Sequence, residues 1–336
     1  MILTRTPFRL SLGGGSTDLP AYYEEHGGFI FAVTLNLYMY IGLNRPPVDQ
    51  MIRLKYSDSE EVERLMDLKH NPARAALQRT GIVKQVEISS MADITGGTGL
   101  GSSASYLVGL LNALHALKGE NLSRLQLAEE AFEIATEDLG LPDGKQDFYL
   151  ASFGNFCVLD IATNGVVNVL PAKISRSTQE TFERRTLLFN TAMRRSSTAV
   201  LAEQQDDMRA QKMDKIALKH ETKRIGKEIL AAFEQGNLDS FGRLMDEHWQ
   251  IKRKMSDKMT NDVFDEVYEK AKQFGALGGK IIGAGGGGFF LVYCQEGSED
   301  AVRRLFTEYK FHEVPYRVEA SGTQVMLHRP REMNSI

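Results

Sequence analysis

Residues 94–105 read ITGGTGLGSSAS, and the chain continues to residue 119 as YLVGLLNALHALKG. Gly96, Gly97, Gly99 and Gly101 crowd into that span, Ser102 and Ser103 follow, and then comes an apolar run with helical spacing. This order predicts a loop that turns into a helix. Glycine lets the backbone take positive φ and approach a ligand closely, and a first helical turn presents unpaired N–H groups at the positive end of the helix dipole. Such a corner suits phosphate. The two hydroxyls add donors, one of them placed to ligate the Mg2+ that accompanies a nucleoside triphosphate. The competing reading is a glycine-rich turn with a serine N-cap and no ligand.

Outward from this loop, residues 2–12 read as a strand that enters a second glycine corner, Gly13, Gly14, Gly15, followed by Ser16, Thr17 and Asp18. FIFAVTLNLYMYIGLNR is rich in β-branched and aromatic residues and reads as two strands, IRLKY as another, NPARAALQRTG as a helix and QVEISSMA as a strand. Beyond the loop, Ser123 and Gln126 have capping-box spacing for a helix that runs to about Leu139, where Gly140 and Pro142 stop it. Asp147 follows in a short polar turn.

The pattern weakens over residues 166–185, and RTLLFNTAM then reads as the strand that opens a second domain, which predicts units of residues 1–180 and 181–336. Residues 197–274 are dominantly helical; KIIGAGGGGFFLVYC, EDAVRRLFTEY, VPYRVEA and TQVMLH read as strand, helix, strand and strand.

With 336 residues, 42% hydrophobic and 25% charged, the chain reads as an ordinary soluble globular protein. Forty Lys and Arg against 44 Asp and Glu, without a long basic block, argue against nucleic acid or an anionic membrane as partner. No apolar run approaches the ~20 residues of a membrane span and the start lacks a signal-peptide pattern, so a cytoplasmic location is expected. Cys157 and Cys294 lie far apart without CxxC spacing and read as buried free thiols.

Two tempting motifs fail. Gly283, Gly285 and Gly288 match the dinucleotide-binding G-x-G-x-x-G, but FFLVYC follows where a helix is required. Gly279 and Lys280 mimic the end of a P-loop, but Ile281 stands where Ser or Thr should hold the metal, and Phe274 where the first glycine should be.

What remains is three glycine-rich corners in a fixed order with Asp147 between the second and third. The stretches TPFRLSLGGGSTDLPAYY, ADITGGTGLGSSAS, LPDGKQDFY and GALGGKIIGAGGGGFF frame residues 6–290. They resemble the superfamily of galactokinase, homoserine kinase, mevalonate kinase and phosphomevalonate kinase. Within it, GGGSTD and GKQD are similar to the bacterial sugar kinases that include D-glycero-D-manno-heptose 7-phosphate kinase. The resemblance implies an α+β fold of two lobes, an N-terminal one like the second domain of ribosomal protein S5 and a ferredoxin-like C-terminal one. It also implies transfer of the γ-phosphoryl of ATP to a hydroxyl of a small sugar or sugar phosphate.

Carried over position by position, the resemblance places Gly97, Thr98, Gly99, Leu100, Gly101, Ser102 and Ser103 around the ATP phosphates, with Ser103 reaching Mg2+. Asp147 would orient and deprotonate the acceptor hydroxyl, and Arg9 would stabilise Asp147 and the transferred group. Asp18, with Gly15 and Ser16, would meet sugar hydroxyls, Gly286 and Gly287 would close over the substrate, and Arg195 (or the adjacent Arg194) would clamp a substrate phosphate. Singly each has a bland alternative: Asp147 an Asx turn, Asp18 an N-cap, Arg9 a surface strand residue.

One departure touches the chemistry. The family carries a metal-binding glutamate on the helix before GKQD; here the segment reads EIATED, which puts Ala135 at that position. On an ideal helix Glu133 and Glu137 lie about 200° from Ala135 and Asp138 about 60°, so Asp138 is the better geometric substitute, with Glu137 reachable if the last turn loosens. Smaller departures are Thr95 for a usual proline, Phe148 for glutamine, and Asn155 and Ala192 for glycines. These departures keep open a free-sugar kinase and a non-catalytic sugar- and nucleotide-binding regulator.

Overall fold

The structure, a computed structural model, describes residues 1–193, 197–256, 259–283 and 285–329. The first half of the chain runs β1 (Ile2–Gly13), α1 (Pro20–His26), β2 (Gly28–Asn44), β3 (Ile52–Lys55), β4 (Ser59–Val62), α2 (Asn71–Thr80), β5 (Val86–Ala92), α3 (Ser102–Lys118), α4 (Arg124–Glu133), α5 (Gln146–Phe153), β6 (Phe156–Ile161) and β7 (Val167–Pro171). The second half runs α6 (Arg176–Arg185), β8 (Thr186–Asn190), α7 (Ser197–Arg209), α8 (Met213–Glu234), α9 (Leu238–Arg253), α10 (Asp262–Gln273), β9 (Ala276–Ile281), β10 (Phe289–Cys294), α11 (Glu299–Glu308), β11 (His312–Glu313) and β12 (Gln324–His328).

β2 is the spine of an eight-stranded sheet ordered β12-β1-β2-β5-β3-β4, with β6 and β7 added beside its first half. The sequence predicts two strands here, and the structure has one of 17 residues. The ladder to β1 shifts register between Pro7 and Phe8, so β2 bends without breaking, and its other edge is shared by β6 and β5. α3 packs across β1 and β2, which places the loop of residues 94–101 at one end of the sheet.

The second sheet, β11-β8-β10-β9, is antiparallel and buried on both faces. Phe290, Val292 and Cys294 join Leu187, Phe189, Trp249 of α9, Phe264 of α10 and Phe306 of α11 in one cluster. Phe289, Leu291 and Tyr293 point the other way, into the main core that also holds β1, β2, α3 and part of α8. This is the two-residue side-chain period of a strand used on both sides, and it explains why FFLVYC is continuously apolar.

The sheets change hands between β7 and β8, where the sequence predicts a domain break, but β12 returns to pair with β1. The last strand of the expected 181–336 unit therefore belongs to the first sheet. VPYRVEA, read as a strand, makes only an isolated bridge between Val318 and Leu35 on its way there. The capping box of Ser123 and Gln126 forms, and both cysteines are buried free thiols. No helix among the described residues is long and apolar enough to cross a membrane.

Candidate active site

The three glycine corners converge on one cleft, lined by Arg9, Gly15, Ser16 and Asp18 from the first, Gly97, Gly99, Gly101, Ser102 and Ser103 from the second, and Gly283, Gly285 and Gly287 from the third. The second and third corners touch through bare backbone. A Cβ on Gly99 (φ +85°) would lie 2.6 Å from the Ile282 carbonyl oxygen, and one on Gly283 would lie 2.7 Å from Gly99 Cα. Glycine at both positions is what lets the loops meet.

α3 begins with Gly101 as N-cap in the left-handed region, with no side-chain cap hydrogen bond. The serine N-cap reading therefore fails: Ser102 and Ser103 have no side-chain hydrogen bond among the described residues and stand at the mouth of a 17-residue helix. Thr98 and Leu100 do not line the cleft. Leu100 is core, its carbonyl accepting from Arg9 N at 3.0 Å, and Thr98 Oγ1 donates to Thr95 O at 3.1 Å. Their side chains are structural, which leaves the backbone N–H groups as what these two positions could offer a phosphate.

Arg9, 5% exposed, donates from Nε and Nη2 to the two oxygens of Asp147, 2.7 Å each, and from Nη1 to Gly99 O at 2.6 Å. This bidentate fork fixes the plane of the carboxylate and ties it to the phosphate-type loop. Asp147 lies in the first turn of α5 rather than in a polar turn, so the helix dipole also favours its negative charge. A Cβ on Gly101 would lie 3.3 Å from Asp147 Oδ2, which brings the helix mouth and the carboxylate together.

Asp18 is buried; it is not the N-cap of α1, which is Leu19, and its Oδ2 instead accepts at 2.9 Å from the N–H of Gln146, the first residue of α5. Burial raises its pKa, with the Asp147 charge adding to this and the Gln146 N–H and Lys219 opposing it. A Cβ on Gly144 would collide with the Asp18 carboxylate, so the glycine of GKQD is required by a residue 126 positions away. Lys145 of the same motif turns away from the cleft to Glu129, at 3.0 and 3.1 Å, across the Phe132 ring.

The expected substitutes for the metal-binding glutamate do not reach the site. α4 ends at Glu133 and residues Ile134–Asp138 form a π-helical turn. Asp138 pairs with Arg79 at 3.0 Å, as Glu133 does at 3.1 Å, Glu137 is exposed, and none of the three lines the cleft. The wheel angles assume 3.6 residues per turn, and a wider π turn changes them. Ala135 itself is 2% exposed within the core. Arg195, and Arg194 beside it, lie outside the described residues, Gly286 is not among the lining residues, and Gly287 is. Asn155 and Ala192, standing at glycine positions, keep positive φ of 65° and 57°.

The sequence gives no sign of several residues that complete the cleft. Asp143, half-buried beside Asp18 and Asp147, has no hydrogen bond or ion pair among the described residues; burial and those two charges push its pKa up to about 6. His248, Lys252 and Lys280 also line the cleft. Lys280 Nζ donates to Leu12 O at 2.9 Å and lies 3.1 Å from His248 Nδ1. Isolated histidines and lysines carry no motif, so only the closed fold reveals them.

A helix mouth lined with glycines and free serine hydroxyls, facing a carboxylate clamped by an arginine, defines a phosphotransferase that acts on a small molecule. Comparison with known proteins agrees: residues 69–155 match the GHMP kinases N terminal domain and residues 229–310 the GHMP kinases C terminal region. The chain belongs to the GHMP kinases, ATP-dependent enzymes that generally use Mg2+, and is a phosphotransferase with an alcohol group as acceptor. It is 28% identical over 305 residues to the D-glycero-alpha-D-manno-heptose 7-phosphate kinase of Campylobacter jejuni, covering 87% of this chain and 89% of that one. A galactokinase of Ligilactobacillus salivarius is 24% identical, covering 96% and 94%. The crystal structure of a D-glycero-D-manno-heptose 1-phosphate kinase from Bacteriodes thetaiotaomicron superposes with a TM-score of 0.80 at 23% identity, covering 98% of this chain and 100% of the other.

Proposed function

We propose that the enzyme transfers the γ-phosphoryl of ATP to the 1-hydroxyl of a phosphorylated seven-carbon sugar, D-glycero-D-manno-heptose 7-phosphate. The observation that carries this reading is the Arg9 fork on Asp147 beside the mouth of α3, 2.7 Å on both oxygens. The likeness to a heptose 7-phosphate kinase over most of both chains supports the choice of sugar.

ATP enters with its phosphates on the N–H groups of residues 97–103, and the sugar lies against Gly15, Ser16 and Asp18. Asp147 accepts the hydroxyl proton as the sugar oxygen bonds to the γ-phosphorus, the bond to the β-γ bridging oxygen breaks, and ADP leaves. Arg9 keeps Asp147 oriented and faces the charge that spreads over the transferred group. Asp18 accepts from sugar hydroxyls; an isoprenoid alcohol would leave this buried acceptor unmatched at a cost of about 1–3 kcal/mol.

No group of three or more metal-ligating side chains exists among the described residues, and position 135 offers a methyl group. This donor set fits an ion that arrives on the nucleotide, for Mg2+ keeps its waters and accepts few protein ligands. Ser103 would hold it, and when bound it neutralises charge on the triphosphate.

The test is ADP release with Mg2+ and paired free and phosphorylated sugars. Release that depends on the heptose phosphate supports the proposal; preference for free galactose or fucose moves the enzyme to the free-sugar kinases. The missing carboxylate at position 135 favours a second reading, a binding regulator, and saturable binding of sugar and nucleotide with no ADP above background would establish it.

A further inference from the structure

The cleft is lined by three carboxylates, Asp18, Asp143 and Asp147, and by Arg9, Lys252 and Lys280. Asp147 is paired with Arg9; neither lysine has an acidic partner among the described residues. Burial and the charges of Lys252 and Arg9 push the Lys280 pKa well down, so the cation left without an anion beside Arg9 is Lys252; a half-buried ammonium of this kind is costly unless negative charge reaches it from outside.

The two lysines differ in what they hold. Lys280 is enclosed, reaches Leu12 O at the end of β1, and ties the second sheet to the first glycine corner. Lys252, in the last turn of α9, opens onto the cleft. Its Nζ donates to Ile281 O at 2.8 Å and Gly283 O at 2.5 Å. An ammonium has three hydrogens, so one is left without an acceptor among the described residues. Gly283 rests on Gly99, and Gly99 O accepts from Arg9 at 2.6 Å, so Lys252 and Arg9 each bond a carbonyl of the same loop contact.

We infer that Lys252 is a catalytic residue of this enzyme, its free N–H bonded to an oxygen of the γ-phosphoryl group. The inference rests on the phosphotransferase reading of the cleft. It supplies positive charge to a cleft for which position 135 offers no metal ligand. Two carbonyls hold the amine in place before the nucleotide arrives, so the contact costs little ordering. Burial and the charge of Arg9 lower the Lys252 pKa to about 7, and a phosphate beside the amine favours its protonated form. Lys280 acts through the first corner and is a positioning residue.

The test compares nucleotides that differ only in the γ group. Affinities for ADP and for the β,γ-imido analogue of ATP, both with Mg2+, are measured by calorimetry for wild type, Lys252→Met, Lys252→Gln and Lys252→Arg. A charge-assisted hydrogen bond predicts that Lys252→Met weakens the analogue about 10- to 100-fold while ADP changes by less than about threefold. Lys252→Arg restores part of the difference. Lys252→Gln keeps a donor for one carbonyl without the charge, so it carries the test if the methionine variant does not fold, and it must show the same selective loss. Equal weakening of both nucleotides would make Lys252 a strut of the third corner, and an unchanged ratio, or a loss confined to sugar-phosphate binding, would overturn the inference. A wild-type protein that binds neither nucleotide would instead remove the phosphotransferase reading itself.

Discussion

Replacing Asp143 by asparagine tests the electrostatics of the cleft carboxylates directly. In the fold this carboxyl titrates at about 6, against about 3.8 when unperturbed, because burial and the charges of Asp147 and Asp18 all disfavour its ionised form. Below about pH 4 folded and unfolded chains both hold the proton, and the native environment costs nothing. Between about pH 4 and pH 6 the native state binds a proton that the unfolded state has released, so stability falls as pH rises; above pH 6 the loss is complete. Two pKa units at 1.36 kcal/mol each bound the loss at about 3 kcal/mol, and partial solvent access reduces it to about 2 kcal/mol. The neutral amide of Asp143→Asn mimics the protonated acid. The variant should match wild type near pH 3, gain as pH rises from about 4 to 6, and level off about 2 kcal/mol ahead above that, roughly 3 °C in Tm for a chain of this size. Thermal melts of both proteins from pH 3 to 8 measure this. A variant whose advantage does not grow with pH, or that is less stable than wild type at pH 7.5, would refute the picture of Asp143 as an acid held against two others with no cation.

Asp147→Asn keeps shape but loses the proton acceptor, so kcat should fall by about 10²-fold or more with ATP affinity nearly unchanged; single-turnover and binding measurements separate the two. Gly99→Ala places a methyl group 2.6 Å from Ile282 O at φ +85°, and should cost roughly 1–3 kcal/mol of stability and at least tenfold in nucleotide affinity, read from melts and calorimetry on one preparation. Mg2+ titrated into the nucleotide-free protein should give no saturable heat below about 1 mM, while the same titration with the imido analogue bound should saturate. Burial pushes both thiols up to about 12, so native protein should leave Cys157 and Cys294 unreacted with a thiol reagent at pH 8 over the time in which unfolded protein reacts fully.

The sequence by itself determined whatever depends on a residue and its near neighbours. The glycine corners are legible because backbone that takes positive φ needs glycine wherever it occurs. The helix after GLGSS follows from apolar periodicity, and the cap of α4 follows from Ser123 and Gln126, three positions apart. Asp147 and Arg9 are legible only through resemblance, since nothing local links residues 138 positions apart.

Tertiary structure decided the rest, for physical reasons that differ from case to case. β2 is one strand because β1 pairs along its length and absorbs the irregularity in a register shift, where local reading saw two runs. Asp138 misses the metal position because a π turn breaks the helical phase and Arg79, brought by α2, captures it. Asp143, Lys252 and Lys280 are ordinary charged residues along the chain. They come to line one cleft only when the turn before α5, α9 and β9 close on it and protein replaces water around them.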